Sequence, residues 1–383
     1  MILKDKRVAI LGAGPVGLTM AKLLQQKGIE VAVYERDKNP ESRIWGGTLD
    51  LHSQSGQLAM KAAGLLEEYY AKAFPMGVLM ADEQGRTLSV KDLSAEQKLD
   101  NPEINRDDLR KILLDGLAAE TVFWNHKCNG LEEQDGKWLL HFDGQPTAVA
   151  DLVIAANGGM SAVRSYVTDT EVEETGTFII QGDVPQPKIN CPEFYHCCDG
   201  HRLMAAYDGN LIVANPLNGD SLSYGVIFEK PADWKGLEPN DSAYIAAFLS
   251  EKFAKWNGIY RQLFDSTSFF VGLTTKILPL DKPWKNHRPL PITLIGDAAH
   301  LMPPFAGQGV NTGLVDAAIL AANLTEERFE TITDAIKDYE RQMFVYASIA
   351  QRESLANELV MRRHDFSFDR LKPNVIHPVG KLP

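Results

Sequence analysis

The chain has 383 residues, 44% of them apolar and 23% charged, and a net charge of −12. That length and composition suit two compact globular units and exclude a largely disordered chain. The acidic balance argues against a nucleic-acid partner, and no run of about eighteen apolar residues is present to span a membrane.

In chain order, Arg7-Val8-Ala9-Ile10-Leu11 is an apolar run that predicts a buried parallel strand. Gly12-Ala13-Gly14-Pro15-Val16-Gly17 follows as a turn. Val16, Met20, Leu23 and Lys27 then recur at helical spacing until Gly28 ends the helix. Residues 30–34 read as a second strand, so the chain opens on a βαβ unit. Helices are expected over 54–70 and 106–119, the second capped by Asn105. Residues 151–156 form another buried strand that runs into Asn157-Gly158-Gly159. Between 176 and 272 the character changes. Strands over 178–183, 202–207, 211–215, 222–228 and 268–276 predict a mostly antiparallel sheet, with a hairpin turn at Asp208-Gly209. Residues 292–295 return to buried-strand character, and a helix follows over 313–323. Residues 333–363 hold no Gly or Pro and predict one helix of about 45 Å. The tail past Lys372 is expected to be loose.

The four cysteines, Cys128, Cys191, Cys197 and Cys198, are too few for a secreted disulfide scaffold. Cys191, His196, Cys197, Cys198 and His201 lack CxxC spacing, and adjacent cysteines in a strand face opposite ways, so no metal site is assigned. Reduced thiols in a cytoplasmic protein are expected. The apolar stretch near the N-terminus is broken by Gly12, Gly14 and Pro15, which separates it from a signal peptide.

The glycine motifs carry chemistry. A pyrophosphate is anionic and needs backbone N–H donors with no side chain in the way. Gly12 permits the tight turn, Gly14 lets the backbone approach, and Gly17 lets helix and strand pack closely. Glu35 ends the second strand, where a carboxylate can accept from both ribose hydroxyls. Far downstream, Gly296-Asp297-Ala298-Ala299-His300 runs into Pro303-Pro304-Phe305-Ala306-Gly307-Gln308-Gly309. Asp297 is placed to accept a ribitol hydroxyl of FAD. Ala306-Gly307-Gln308-Gly309-Val310-Asn311 opens the helix over 313–323, whose dipole and free amides would face negative charge on a reduced flavin. The two motifs together predict FAD, held by a chain that leaves the nucleotide fold and returns to it.

Three motifs together, Gly12 to Gly17 with Glu35-Arg36, 151–159 with Arg164, and 296–309, resemble the single-component FAD-dependent aromatic hydroxylases. They fall in that family's order. Within it, Gly46-Gly47-Thr48-Leu49-Asp50-Leu51-His52, Asp100-Asn101-Pro102-Glu103-Ile104-Asn105-Arg106, 169–177 and 296–310 are similar to the tetracycline-inactivating flavin monooxygenases of the Tet(X) type. The likeness runs from about 6 to 368. It implies an α/β fold: a discontinuous Rossmann-like FAD-binding domain over 1–71, 97–168 and 273–330, and an inserted, mostly antiparallel β-sheet substrate domain over 72–96 and 169–272. A C-terminal bridging helix over 331–370 and a flexible tail over 371–383 complete it. It also implies that NADPH reduces the flavin, that oxygen then forms a C4a-hydroperoxide, and that one hydroxyl passes to an electron-rich carbon of a tetracycline-type antibiotic. Such an intermediate needs a dry cavity. No protein nucleophile is required, so no catalytic residue is nominated, and His52 and His300 read as structural.

For the cofactor the resemblance carries Glu35, Arg36, Asp50, Arg106, Asp297, Pro304, Gly307, Gln308, Gly309, Val310 and Asn311. For the substrate it carries Gln181, Arg202, Met204, Asn215, Tyr224, Gly225, Phe305 and Met361. Two positions depart from the tetracycline enzymes: Ser223 stands where they carry a His, and Val213 where they carry an aromatic. The middle motif begins Asn157-Gly158 where the wider family has Asp-Gly. Rival readings are the same chemistry on another aromatic or polyketide substrate, and a non-catalytic FAD-fold binding protein. A monomer is expected. Read this way, Arg202→Ala raises the KM for substrate and leaves FAD bound.

Overall fold

The computed structural model describes residues 2–42, 47–231 and 242–370. Gly46 and the tail over 371–383 lie outside them. Five parallel strands form a central sheet in the spatial order Ile292–Leu294, Leu152–Ala155, Val8–Leu11, Val31–Tyr34 and Val122–Phe123. The inner strands Val8–Leu11 and Leu152–Ala155 are buried along their whole length, which is why their sequences are unbroken apolar runs. Val8–Leu11 and Ile292–Leu294 belong to this one sheet, while the strands Glu173–Pro185 to Phe270–Ile277 of another sheet lie between them in sequence, so the unit is discontinuous. Helices Pro15–Gln25 and Gly309–Thr325 pack against each other beside it. An antiparallel meander, Cys128–Gln134, Lys137–Phe142 and Gln145–Ala150, fills the stretch ahead of Leu152.

A second sheet has seven strands, ordered Phe270–Ile277, Glu173–Pro185, Ser221–Glu229, Asn210–Asn218, Arg202–Tyr207, Val78–Ala81 and Thr87–Lys91. All neighbours are antiparallel except Arg202–Tyr207 with Val78–Ala81. Period-two alternation splits this sheet into two faces. Phe178, Ile180, Leu203, Ile212, Tyr224 and Val226 point into an apolar core shared with Phe194, Leu249, Tyr260 and Phe264 of the helices behind it. The other face carries half-buried and polar residues, and also Ala206 and Leu211, which are buried against Phe366 and Phe368. A short ribbon, Thr48–Asp50 paired with Glu103–Asn105, lies at the seam between the sheets.

Helix Ile332–Met361 covers most of the run expected to be helical over 333–363 and touches both sheets. Ala335, Ile336, Tyr339 and Met343 sit in the core of the parallel sheet. Nearer its C-terminal end Glu358 accepts from the hydroxyls of Thr175 (2.6 Å) and Thr275 (3.0 Å) on two strands of the large sheet.

Three expectations need correction. The single helix over 54–70 is two, Gly56–Ala62 and Leu66–Lys72, because Gly64 takes φ +71° and reverses the chain. The helix after Asn105 stops at Asp115. Cys197 and Cys198 end the helix Pro192–Cys198 and are not in a strand. Among the described residues no helix is long and apolar enough to cross a membrane, and no group of three or more His, Cys, Asp or Glu side chains could hold a metal ion.

Candidate cofactor and substrate site

The chain leaves Leu11 into Gly12, whose φ is +104°. A Cβ there would lie 2.5 Å from the Ala156 carbonyl oxygen, and one on Gly17 would lie 2.1 Å from the Gly12 carbonyl oxygen. Both glycines are demanded by packing. Gly14 is different. Its backbone is extended (φ −77°, ψ 173°), which any residue can adopt, and an added Cβ would meet nothing within 4 Å. Pro15 begins the helix, and no side chain caps its first amides. Glu35 locks this turn: its carboxylate accepts from the Ala13 amide at 2.6 Å and from the Asp37 amide at 2.9 Å. Arg36 is exposed.

Asp297 follows Gly296 (φ +62°) at the end of the returning strand, and its side chain opens onto the gap beside Gly309. Although exposed to the gap, its carboxyl is crowded by protein atoms that push it up, while His300, Arg106 and Arg164 pull it down; the net direction is upward. Arg164 donates to the Ala298 carbonyl (2.9 Å) and the Gly159 carbonyl (2.6 Å). The middle motif therefore bolts the Asp297 turn from one side. Arg106 lies near Asp297 and Glu103, its Nε buried without a hydrogen bond. Desolvation lowers its pKa, opposed by those two carboxylates. Asp50 completes the group. Burial pushes its carboxyl up, but the hydrogen bond and charge of His52, with Arg202 and Asn101, hold it below the usual range. A Cβ on Gly307 would lie 3.7 Å from Asp50, and one on Gly309 would lie 3.8 Å from Asp297.

The loop holding Pro304, Phe305 and Gly307 is clamped by the long helix. Ser354 accepts from the Phe305 amide and donates to the Pro303 carbonyl, and Asn357 donates to the Phe305 carbonyl. Pro304 and Gly307 are exposed; Gln308 is buried and Val310 half-buried. The Asn311 side chain is fully buried and spent on protein: it accepts from the His52 amide and donates to the carbonyls of Asp50 and Gly307. Its side chain therefore keeps no free hydrogen for a ligand.

Most of the expected substrate residues share the open face of the large sheet. Gln181 pairs with Gly225, Gly225 with Val213 and Val213 with Met204, so these four point the same way. Asn215 and Ser223 are partners one step along. Met361 packs near Met204 and Ile227, and a crevice too narrow to admit a water molecule is lined by Phe305, Met361, Leu211 and Ile227. Tyr224 does not join them. Alternation turns its ring into the opposite core, where its hydroxyl pairs with Thr267 at 2.8 Å. Arg202 reaches the face, yet its guanidinium is bonded to Glu103. Glu103 also accepts from Thr48, which accepts from Asn215 at 2.6 Å. Asn105 donates to Asn218 (2.5 Å), and Asn218 to Ser223. Glu103, Thr48 and Asn218 were missed as site residues. A groove of about 630 Å³ along Val8, Ala9, Val31, Ala32 and Tyr34 shares no residue with this site.

The sequence profile of a family described as an FAD binding domain matches residues 5–245 and 282–346. The chain belongs to that family. The 3-amino-4-hydroxybenzoate 2-monooxygenase of Streptomyces cremeus is 28% identical over 89% of this chain and 84% of its own length. Among solved structures, Klebsiella pneumoniae HpxO complexed with FAD and uric acid has a TM-score of 0.78 at 20% identity, covering 95% of this chain and 90% of that one. The tetracycline destructase Tet(55) has a TM-score of 0.74 at 21% identity, covering 94% and 90%. The family is one of single-component aromatic hydroxylases, and the protein is an FAD-dependent monooxygenase.

FAD fits the residues this hydroxylase presents. Gly14 leaves a space that no part of the chain fills. Arg106 has a buried donor without an acceptor. The helices at Pro15 and Gly309 start with no side-chain cap, so their first amides are open to an anion.

Proposed function

We propose that this monooxygenase uses NADPH and oxygen to hydroxylate a tetracycline-type polycyclic antibiotic, and so inactivates it. The observation that carries the reading is the open face of the large sheet, where Gln181, Met204, Val213 and Gly225 align beside Phe305 and Met361. The similar words at 46–52, 100–106 and 296–310 support the same substrate class.

Bound FAD supplies the redox chemistry, taking a hydride and delivering one atom of oxygen to an electron-rich carbon. The residues bind and orient. The amides at Gly14, Pro15, Val16 and Gly17, less the one proline lacks, form the end that takes the pyrophosphate. Glu35 keeps lone pairs for a ribose beyond the two amides it already accepts, with Arg36 at the rim. Arg106 takes phosphate or ribose oxygens, Asp297 a ribitol hydroxyl, and Asp50 and the amides of 307–311 line the ring end. Gln181 donates or accepts at the substrate edge, while Met204, Val213, Ile227 and Met361 keep water out. The cofactor unit is assigned to 1–71, 97–168 and 273–330, and the substrate unit to 72–96 and 169–272.

A second reading, another aromatic or polyketide substrate, is favoured by Ser223 and Val213 and by the state of Arg202. Ser is short and uncharged, Val offers no ring face, and the Arg202 charge is balanced by Glu103. The site therefore reads neutral hydrogen-bonding groups better than a substrate carboxylate. Aerobic incubation with NADPH and tetracycline tests the first reading. A product heavier by one oxygen atom, absent without NADPH, is expected. Unchanged tetracycline from protein that holds FAD would give the site to the second.

A further inference from the structure

Behind Asp297 lies a buried polar cluster that reaches neither the cofactor gap nor the substrate face. Asp316, in the middle of helix Gly309–Thr325, is fully buried and accepts three hydrogen bonds. They come from the Gly296 amide (2.7 Å), His300 Nε2 (2.7 Å) and the Tyr346 hydroxyl (2.6 Å). One carboxylate thus ties together the turn before Asp297, the helix after the cofactor loop and the long C-terminal helix.

A buried carboxylate is costly unless its charge is balanced. The groups facing it are few. Tyr346 and Tyr339 approach from the long helix, and Tyr339 donates to the Leu294 carbonyl. Asp297 lies on the His300 turn, with Arg164 and Arg106 beyond it. His300, fully buried, is the one bonded group able to carry positive charge. Burial alone would lower its pKa; the charge and hydrogen bond of Asp316, with Asp297, outweigh that and raise it. The turn itself has little freedom. Gly296 holds φ +62° and ψ −145°, and a Cβ there would lie 3.3 Å from Val16. Its amide bond to Asp316 sets the direction in which the next residue, Asp297, leaves the strand.

We propose that His300 and Asp316 are positioning residues of the cofactor site: their buried pair, anchored by Tyr346, holds the Gly296 amide and so aims Asp297 at the cofactor. This rests on the reading of Asp297 as a cofactor ligand.

The test is FAD titration of the apoprotein, with apoprotein melting measured beside it, from about pH 6 to about pH 9. In the wild type the raised His300 pKa means tight binding at the acid end and weakening as pH rises through it. His300→Gln should bind FAD about tenfold or more weakly and lose that pH dependence. Asp316→Asn should weaken it at least as much. Tyr346→Phe removes one hydroxyl, is the safest variant to fold, and should move affinity in the same direction by less. Because the cluster acts through Asp297, His300→Gln combined with Asp297→Asn should be no worse than the poorer single variant. A His300→Gln protein that keeps both wild-type affinity and the wild-type pH profile, beside an Asp297→Asn protein that binds poorly, would overturn the proposal alone. An Asp297→Asn protein with unchanged affinity would overturn the proposal together with the reading it rests on.

Discussion

Gly14→Val should give a stably folded protein that has lost FAD. The two halves of that expectation come from different observations. The Gly14 backbone is extended and is followed by Pro15, a combination that β-branched residues accept. An added Cβ meets no atom of the chain, so the apoprotein has no reason to melt earlier. The space it enters is where a pyrophosphate must approach the helix amides, and a branched side chain there blocks them. The loss should be about 100-fold or more in Kd, near 3 kcal/mol. Gly17→Ala makes the contrast, since its Cβ would sit 2.1 Å from the Gly12 carbonyl oxygen and the turn itself must give way. Flavin absorbance of the purified proteins and their apo melting curves check both. A Gly14→Val protein that purifies yellow would remove this turn from the cofactor site.

The contrast also shows what could be read from sequence. Four of the five parallel strands were legible, the inner ones because burial on both faces leaves nothing but apolar residues, as in Val8-Ala9-Ile10-Leu11; Val122–Phe123, two residues long and not buried, was not. Five of the seven strands of the large sheet were legible, and 202–207 coincides with the strand Arg202–Tyr207, while Val78–Ala81 and Thr87–Lys91 were not. Strand alternation could have separated Tyr224 from Ser223 and Gly225, since neighbours on a strand face opposite ways. The meander over 128–150 went unseen: Cys128–Gln134 is mostly polar and exposed, and Gln145–Ala150 holds a proline and only one buried residue, so both carry weak periodicity. The break at Gly64 was visible as a lone glycine, but its left-handed φ was not. Side-chain partners far apart in the chain left no local signal. Nothing around Glu103 announces Arg202, and nothing around His300 announces Asp316 and Tyr346. Those partnerships exist only once the strands are stacked.

Arg202→Ala shows how much such a partnership changes. From sequence alone the variant should lose only substrate affinity. In the structure it removes the partner of Glu103, whose side chain is 5% exposed beside an Arg202 that is 29% exposed. An uncompensated buried charge costs about 3–5 kcal/mol; with Arg202 partly in water, roughly 2 kcal/mol of folding stability should go. The sign with pH follows from Glu103. Burial pushes its carboxyl up, Arg202 pulls it down, and Asp50 pushes it up again; the net direction is upward. A carboxyl raised in the folded state gains stability as pH falls through its folded pKa and loses it as pH rises. Without Arg202 that pKa rises further, so the deficit should be largest at neutral and alkaline pH and narrow in acid. FAD should bind less tightly as well, since Arg202 also helps hold the Asp50 carboxyl down. Pairing Glu103→Gln with Arg202→Met removes both charges and should recover most of the melting temperature. Melting curves across pH for the single and double variants decide the matter. An Arg202→Ala protein that melts with the wild type and changes only the KM would return Arg202 to the role of a free cation for the substrate.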